Sequence, residues 1–198
     1  MADVEIVNKF QPDFIGFIFA PSKRQITLED AKILRGQLIS TIKVVGVFVN
    51  ESIEVLLRYE EAKIVDYFQL HGNEDLHYMA SLKKKSKLPI IKAVSVEDET
   101  SIKRQQGIIE SHLIDYILLD TYSPKCYGGS GQSFDWQLLE LINRPYFLAG
   151  GIGTENIQQA LTYQPYAIDV SSKVETAGKK DKEKIEQLLK VIKEKENS

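Results

Sequence analysis

The chain has 198 residues, 43% of them hydrophobic, and its 25 Lys+Arg against 28 Asp+Glu leave a formal charge of −3. That is enough chain for one domain with a full core, and too balanced a charge for a general nucleic-acid field, so no nucleic-acid partner is expected. No apolar run approaches the roughly 20 residues of a membrane span, MADVEIVNKF is not signal-like, and the single cysteine, Cys126, excludes an intrachain disulfide and points to a reducing cytoplasm.

In chain order, Ala2–Phe10 reads as helix, with Val4, Val7 and Phe10, or Ile6 and Phe10, facing inward. A strand is predicted at Phe14–Ala20. Thr27-Leu-Glu-Asp30 then looks like a helix cap, with Ala31, Leu34 and Leu38 as the apolar face behind it. Further strands are predicted at Lys43–Asn50, Tyr67–Gly72, Pro89–Val96, Tyr116–Tyr122, Tyr146–Ile152 and Ala167–Ser172. Between and after them, Glu51–Glu61, Asp75–Lys84, Thr100–His112, Trp136–Leu141, Thr154–Thr162 and Asp181–Lys193 carry helical periodicity. The run Lys83-Lys84-Lys85 reads as a solvated helix face, and Lys193–Ser198 as a frayed tail.

These strands are continuous apolar runs, as parallel strands covered by helices should be. Strand-then-helix repeated along the whole chain predicts an α/β fold, a (β/α)8 TIM barrel in a single domain over 1–198, with an open doubly wound sheet as the alternative. Seven strands are found where a closed barrel has eight. The chain therefore reads as beginning inside its first βα unit, N-terminally incomplete, which would leave two unpaired strand edges.

Two stretches near the C-terminus carry the chemistry that is easiest to read. In YFLAGGIGTENI, Gly150, Gly151 and Gly153 lack a Cβ, so their backbone N–H groups can approach an anion. A helix starting at Thr154 or Glu155 would point its positive end to the same place. In AIDVSSKVE, Ser171 and Ser172 offer further donors at the end of the next strand. Paired loops of this kind hold phosphate in α/β barrels, so a phosphorylated small molecule is the expected partner. Lys173 stands where a small residue is expected; it either adds charge toward phosphate or points to water.

Taken in order, GFIFAPSKR, VGVFVN, FQLHG, IIKAVSV, YILLDTY, GGSGQSFDW, LAGGIGTENI and DVSSKVE resemble the phosphoribosylanthranilate isomerase family over nearly the whole chain. The resemblance implies an eight-stranded barrel acting in tryptophan biosynthesis. Its reaction is the Amadori rearrangement of N-(5-phosphoribosyl)anthranilate to 1-(2-carboxyphenylamino)-1-deoxyribulose 5-phosphate. It also implies that Asp120 is the general acid, that Arg24 binds the anthranilate carboxylate, and that Asp169 positions substrate. An ordinary Asp, with a pKa near 3.9, is protonated in only about one molecule in a thousand at pH 7, so Asp120 needs a raised pKa, most simply from apolar surroundings.

Several roles stay open. His71 either contacts substrate or holds loops together; Lys92, inside an apolar strand, forms a structural ion pair or serves substrate. The loop Gly128–Trp136 suits a cover over substrate, with Phe134 and Trp136 anchoring its far end. No cofactor or metal is expected, and monomer and homodimer are both compatible with the sequence. The family's base is a cysteine in a Lys-Ile-Cys-Gly-like motif on the first strand, which has no counterpart here, and Cys126 is not that residue. Losing a positioned base typically lowers rate by about 10²–10⁴-fold, which makes turnover by this chain an open expectation. A phosphate-ligand-binding or interaction protein without turnover, and another sugar-phosphate isomerase barrel, are the alternatives.

Overall fold

The computed structural model describes residues 2–121 and 133–196. They form two compact units: one runs to Ala93 and includes Glu110–Asp115, the other comprises Val94–Ile109 and the chain from Tyr116 onward.

The first unit opens with α1 (Ala2–Phe10), which buries Val4 and Val7 while Ile6 and Phe10 are half-buried. Four strands follow: β1 (Phe14–Ile18), β2 (Lys43–Phe48), β3 (Tyr67–Leu70) and β4 (Ile90–Val96), which enters the unit through Ile90–Ala93. They pair in parallel and in chain order, with Gly16 opposite Val45, Gly46 opposite Phe68 and Gln69 opposite Ile91. In β2 every residue after Lys43 is buried, the signature of a strand covered on both faces. Gly46 is required there, because a Cβ would sit 2.6 Å from Val65 and 2.8 Å from the Phe48 ring. Phe19 stacks on Phe48 at 5.1 Å between centroids, and Phe48 meets Phe68 edge-on at 6.0 Å.

The covering helices begin where their caps dictate. At α2 (Leu28–Gln37), Thr27 Oγ1 accepts the Asp30 N–H and Asp30 accepts the Thr27 N–H, a reciprocal box. Ala31 is fully buried; Leu34 and Leu38 are half-buried. After α3 (Ile53–Glu61), α4 (Leu76–Lys85) is capped by Asp75 and places the three lysines in its last turn, where a helix favours positive charge. Lys83 pairs with Asp115 at 2.6 Å and Lys85 with Glu54 at 3.0 Å.

Where β3 ends, one buried ion pair gathers the backbone of two loops. Lys92 Nζ donates to the Leu70 carbonyl at 3.1 Å, the Gly72 carbonyl at 2.7 Å and Glu74 Oε2 at 3.0 Å. Glu74 in turn accepts the Asn50 and Gly72 N–H groups at 2.7 and 3.0 Å. Lys92 is 3% exposed and Glu74 5%, so both charges are out of water and each is answered. Of the two roles left open for Lys92, the contacts are those of the structural ion pair.

The second unit contains α5 (Glu99–Arg104) and α6 (Gln106–Ile109), where a single helix over Thr100–His112 was expected. The break falls at Gln105, whose side-chain amide donates to the Ser95 and Ser101 carbonyls and draws the chain off the helical path. The parallel strands β5 (Tyr116–Thr121), β6 (Tyr146–Leu148) and β7 (Ala167–Ile168) again lie in chain order, Ile117 opposite Tyr146 and Phe147 opposite Ala167. A 3₁₀ turn at Trp136–Leu141 leads into β6, and Phe134 and Trp136 are buried, as wall anchors should be. Beyond β6 and β7 lie α7 (Ile157–Thr162), a 3₁₀ turn at Ser172–Val174, a hairpin of β8 (Glu175–Thr176) and β9 (Lys179–Lys180), and α8 (Lys182–Glu196).

Three expectations are corrected here, and one element is new. β6 stops at Leu148 because Gly150 and Gly151 turn to φ 88° and 66°, outside any strand. α7 starts at Ile157, not Thr154 or Glu155, because the Asn156 side chain closes the preceding turn. The hairpin was not foreseen; Ala177 and Gly178, both at positive φ, form its two-residue loop. Lys193 lies within α8 and not at the start of a frayed tail.

Breaking the buried pair has a calculable consequence. Lys92→Met leaves Glu74 buried without its cation and should lower unfolding free energy by about 3–5 kcal/mol, read as an earlier urea midpoint. Adding Glu74→Gln should return part of that loss; no recovery in the double variant would contradict this account.

Candidate active site

Asp120 is the last but one residue of β5, following Leu118 and Leu119 out of the core, and it is only 6% exposed. Burial pushes its carboxyl up to about 6, the negative charge of Asp169 adds to the rise, and the Thr121 N–H donating to Oδ1 at 2.8 Å opposes it. About one Asp120 in ten therefore carries its proton at pH 7, roughly a hundredfold more than an ordinary Asp. Asp169 comes just after β7, where its N–H donates to the Leu148 carbonyl at 2.8 Å, and its side chain is exposed. Of the two carboxyls, one is buried and raised in pKa and the other is exposed.

Gly150 lies against the acid. A Cβ there would clash with Thr121 Oγ1 and sit 2.9 Å from both Asp120 Oδ1 and the Thr121 nitrogen. Beyond it, Gly153 N–H donates to Asn156 Oδ1 at 2.9 Å, and Asn156 Nδ2 returns a bond to the Gly151 carbonyl at 3.1 Å. Ser171 and Ser172 open the 3₁₀ turn after β7 and are half-buried. Lys173 bonds Glu155 Oε1, on the loop after β6, at 2.5 Å. The second unit thus brings Asp120, Asp169 and Gly150 together, and joins the loop of Gly151 and Gly153 to that of Ser171 and Ser172.

Arg24 and His71 belong to the first unit. Arg24 is exposed on the segment after β1, its N–H donating to Ser22 Oγ at 3.2 Å. His71 follows β3, its Nδ1 2.9 Å from Gln69 Nε2. Burial, then the charge of Lys92, lowers its pKa to about 4 despite Glu74, so the ring is neutral at pH 7. With the Gln69 amide nitrogen donating to Nδ1, the ring proton sits on Nε2.

Cys126 and Gly128–Gln132 lie outside the described residues. Among the described residues no group of three His, Cys, Asp or Glu could hold a metal ion, and no helix is long and apolar enough to cross a membrane. Sequence reasoning missed Glu74, Asn156 and Glu155. Glu74 was hidden among the acids expected at a helix start; Asn156 could have been found as a capping residue after Gly-Thr-Glu.

A buried carboxyl of raised pKa at a strand end, in an α/β fold of parallel strands taken in chain order, is an arrangement found in α/β barrel enzymes. A family model described as N-(5'phosphoribosyl)anthranilate (PRA) isomerase matches residues 1–191, and the chain belongs to that family. The N-(5'-phosphoribosyl)anthranilate isomerase of Endomicrobium trichonymphae is 44% identical over 191 residues, covering 96% of this chain and 92% of that protein. A crystal structure of phosphoribosyl anthranilate isomerase in complex with reduced 1-(o-carboxyphenylamino)-1-deoxyribulose 5-phosphate is 33% identical. It superposes with a TM-score of 0.82 over 98% of this chain and 93% of the other. A structure of monomers of the dimeric Thermotoga maritima enzyme, also 33% identical, gives 0.81 over 98% and 93%.

The raised acid has a stability signature. Its folded pKa lies above the ordinary 3.8, so the fold favours the protonated form: neutral in effect below about pH 4, a burden that grows as pH rises to about 6 and is fully present above it. Asp120→Asn should therefore stabilise the protein by about 1–3 kcal/mol at pH 8 and by nearly nothing at pH 4, measured by urea unfolding. An equal change at both pH values would show that burial does not hold the carboxyl in its neutral form.

Proposed function

We propose that this chain carries out the reaction of its family, converting N-(5-phosphoribosyl)anthranilate to 1-(2-carboxyphenylamino)-1-deoxyribulose 5-phosphate in tryptophan biosynthesis, with Asp120 as general acid. The observation that carries the assignment is the Asp120 carboxyl, buried at a strand end and raised to about 6. Its proton goes to the ribose ring oxygen; the C1–O bond breaks as the nitrogen lone pair closes a C=N bond. Solvent water takes the proton from C2 to give the enolamine; its C2 hydroxyl then gives up a proton and C1 takes one up, leaving a ketone at C2 and an amine at C1. No electrons leave or enter, so no redox cofactor or metal is called for.

The remaining residues bind and orient. Gly150, Gly151, Gly153, Ser171 and Ser172 take the phosphate; Gly150 also lets the phosphate loop approach the acid as no side-chain-bearing residue could. Arg24 takes the anthranilate carboxylate through two parallel hydrogen bonds, which its planar guanidinium suits. His71, neutral at working pH, serves a substrate hydroxyl as a hydrogen-bonding group and not as a charge. Asp169 keeps the Asp120 pKa raised and positions substrate at the strand ends. The protein works in the cytoplasm as a monomer or homodimer, with the phosphorylated substrate as its small-molecule partner.

Freshly made phosphoribosylanthranilate, followed by loss of its fluorescence, tests the reading directly. Turnover should vanish in Asp120→Asn, and Arg24→Ala should raise KM about tenfold or more, as expected for a lost charge-assisted pair. Because the acid must be protonated, kcat/KM should fall as pH rises through about 6. Tight binding of substrate by the folded chain without any turnover would favour the ligand-binding reading instead.

A further inference from the structure

The ion pair between Lys173 and Glu155 plays no part in the reaction outlined above, yet it sits between the two loops assigned to phosphate. Lys173 Nζ is 2.5 Å from Glu155 Oε1, with the side chains 39% and 53% exposed. The Glu155 carboxylate also lies over Gly153, where a Cβ would strike its Oε2. The hydrogen bond from Lys173 is the first cause holding the Glu155 pKa below its usual value, so the carboxylate is charged at neutral pH. An anion therefore lies on the loop meant for a phosphate dianion, and like charges repel. The cation that neutralises it is the residue next to Ser172.

We propose that Lys173 is a phosphate-binding residue in this chain and that Glu155 is its internal competitor, a carboxylate that holds the ammonium between the loops until the substrate phosphate takes it. The proposal rests on the assignment of phosphate to these loops. Exposed ion pairs contribute little to stability, so exchange of a monoanionic partner for a dianionic one meets only a small opposing term. Phosphate affinity is then set by a difference, the attraction of Lys173 less the repulsion of Glu155. A bridge that only fastens the loops makes the opposite prediction: removing either partner should loosen both loops and weaken phosphate alike.

Titration of the full chain with inorganic phosphate, followed by phosphorus NMR, distinguishes the two without requiring turnover. At low salt Lys173→Met should raise the phosphate Kd about three- to fivefold, Glu155→Gln should lower it about threefold, and Lys173→Arg should stay near wild type. Both shifts should shrink as salt is added, and in the isomerase assay they should appear in KM. Weakening of the same sign in both charge variants overturns the proposal. If Ser171→Ala weakens phosphate while Lys173→Met does not, the loop assignment stands and the proposal falls alone. If inorganic phosphate does not bind and Ser171→Ala leaves substrate KM unchanged, the loop assignment falls and the proposal with it.

Discussion

Taking an ionised group out of water costs several kcal/mol unless something answers its charge, and this chain meets that constraint in two opposite ways. Lys92 and Glu74 are buried as a pair, and the carboxylate and ammonium spend their remaining hydrogen-bonding capacity on the backbone of Asn50, Leu70 and Gly72. The loops that follow β2 and β3 are thereby held by a group on β4, and His71 is carried on one of them. Asp120 is buried to a similar degree; desolvation first, and then the negative charge of Asp169, make its ionised form costly and raise its pKa to about 6. Charge compensation gives structure in the first case and chemistry in the second.

The same contrast appears in how backbone is used. Gly46 is a packing requirement, forced by Val65 and the Phe48 ring, and would be read from any tightly filled sheet. Gly150 answers a requirement of conformation beside the buried carboxyl of Asp120. Its φ of 88° turns the chain out of β6 immediately beside the acid, and its missing Cβ is what lets Asp120 Oδ1 and the loop share that space. A substitution there would disturb the acid, the turn and the loop at once.

What the sequence made legible follows from which forces leave a linear pattern. The parallel strands were readable as apolar runs, most plainly β2, where burial on both faces leaves no polar residue after Lys43, and the α2 cap because Thr27 and Asp30 are three residues apart. The strand ends were overextended, since hydrophobicity continues past the point where positive φ at Gly150 has already ended the ladder. The β8–β9 hairpin was invisible for the reverse reason: it has the right turn but no apolar stripe. At the site, the need for a raised Asp120 pKa followed from the general-acid role that the family resemblance implies, together with the chemistry of proton donation. The contribution of Asp169 did not, because it depends on two strand ends being brought side by side. Glu74 with Lys92, and Glu155 with Lys173, are eighteen residues apart in each case, beyond any local pattern.

The pKa of Asp120 reflects a balance that suits the general-acid role proposed for it. A general acid works best with a pKa near the pH at which it operates, since it must hold a proton often enough and release it readily enough. Burial alone raises the carboxyl, and the Asp169 charge raises it further; the Thr121 N–H, bonded to Oδ1 at 2.8 Å, stabilises the anion and limits the rise. Were Asp169 as buried as Asp120 and in direct contact with it, the two would share one proton and the upper pKa would climb well above neutrality, giving an acid slow to part with its proton. Because Asp169 is exposed, water screens most of its charge, and desolvation stays the larger cause. The short reach of β7 beside β6 matters for this reason: Asp169, just beyond it, lies close enough to add to the Asp120 rise while remaining exposed to solvent.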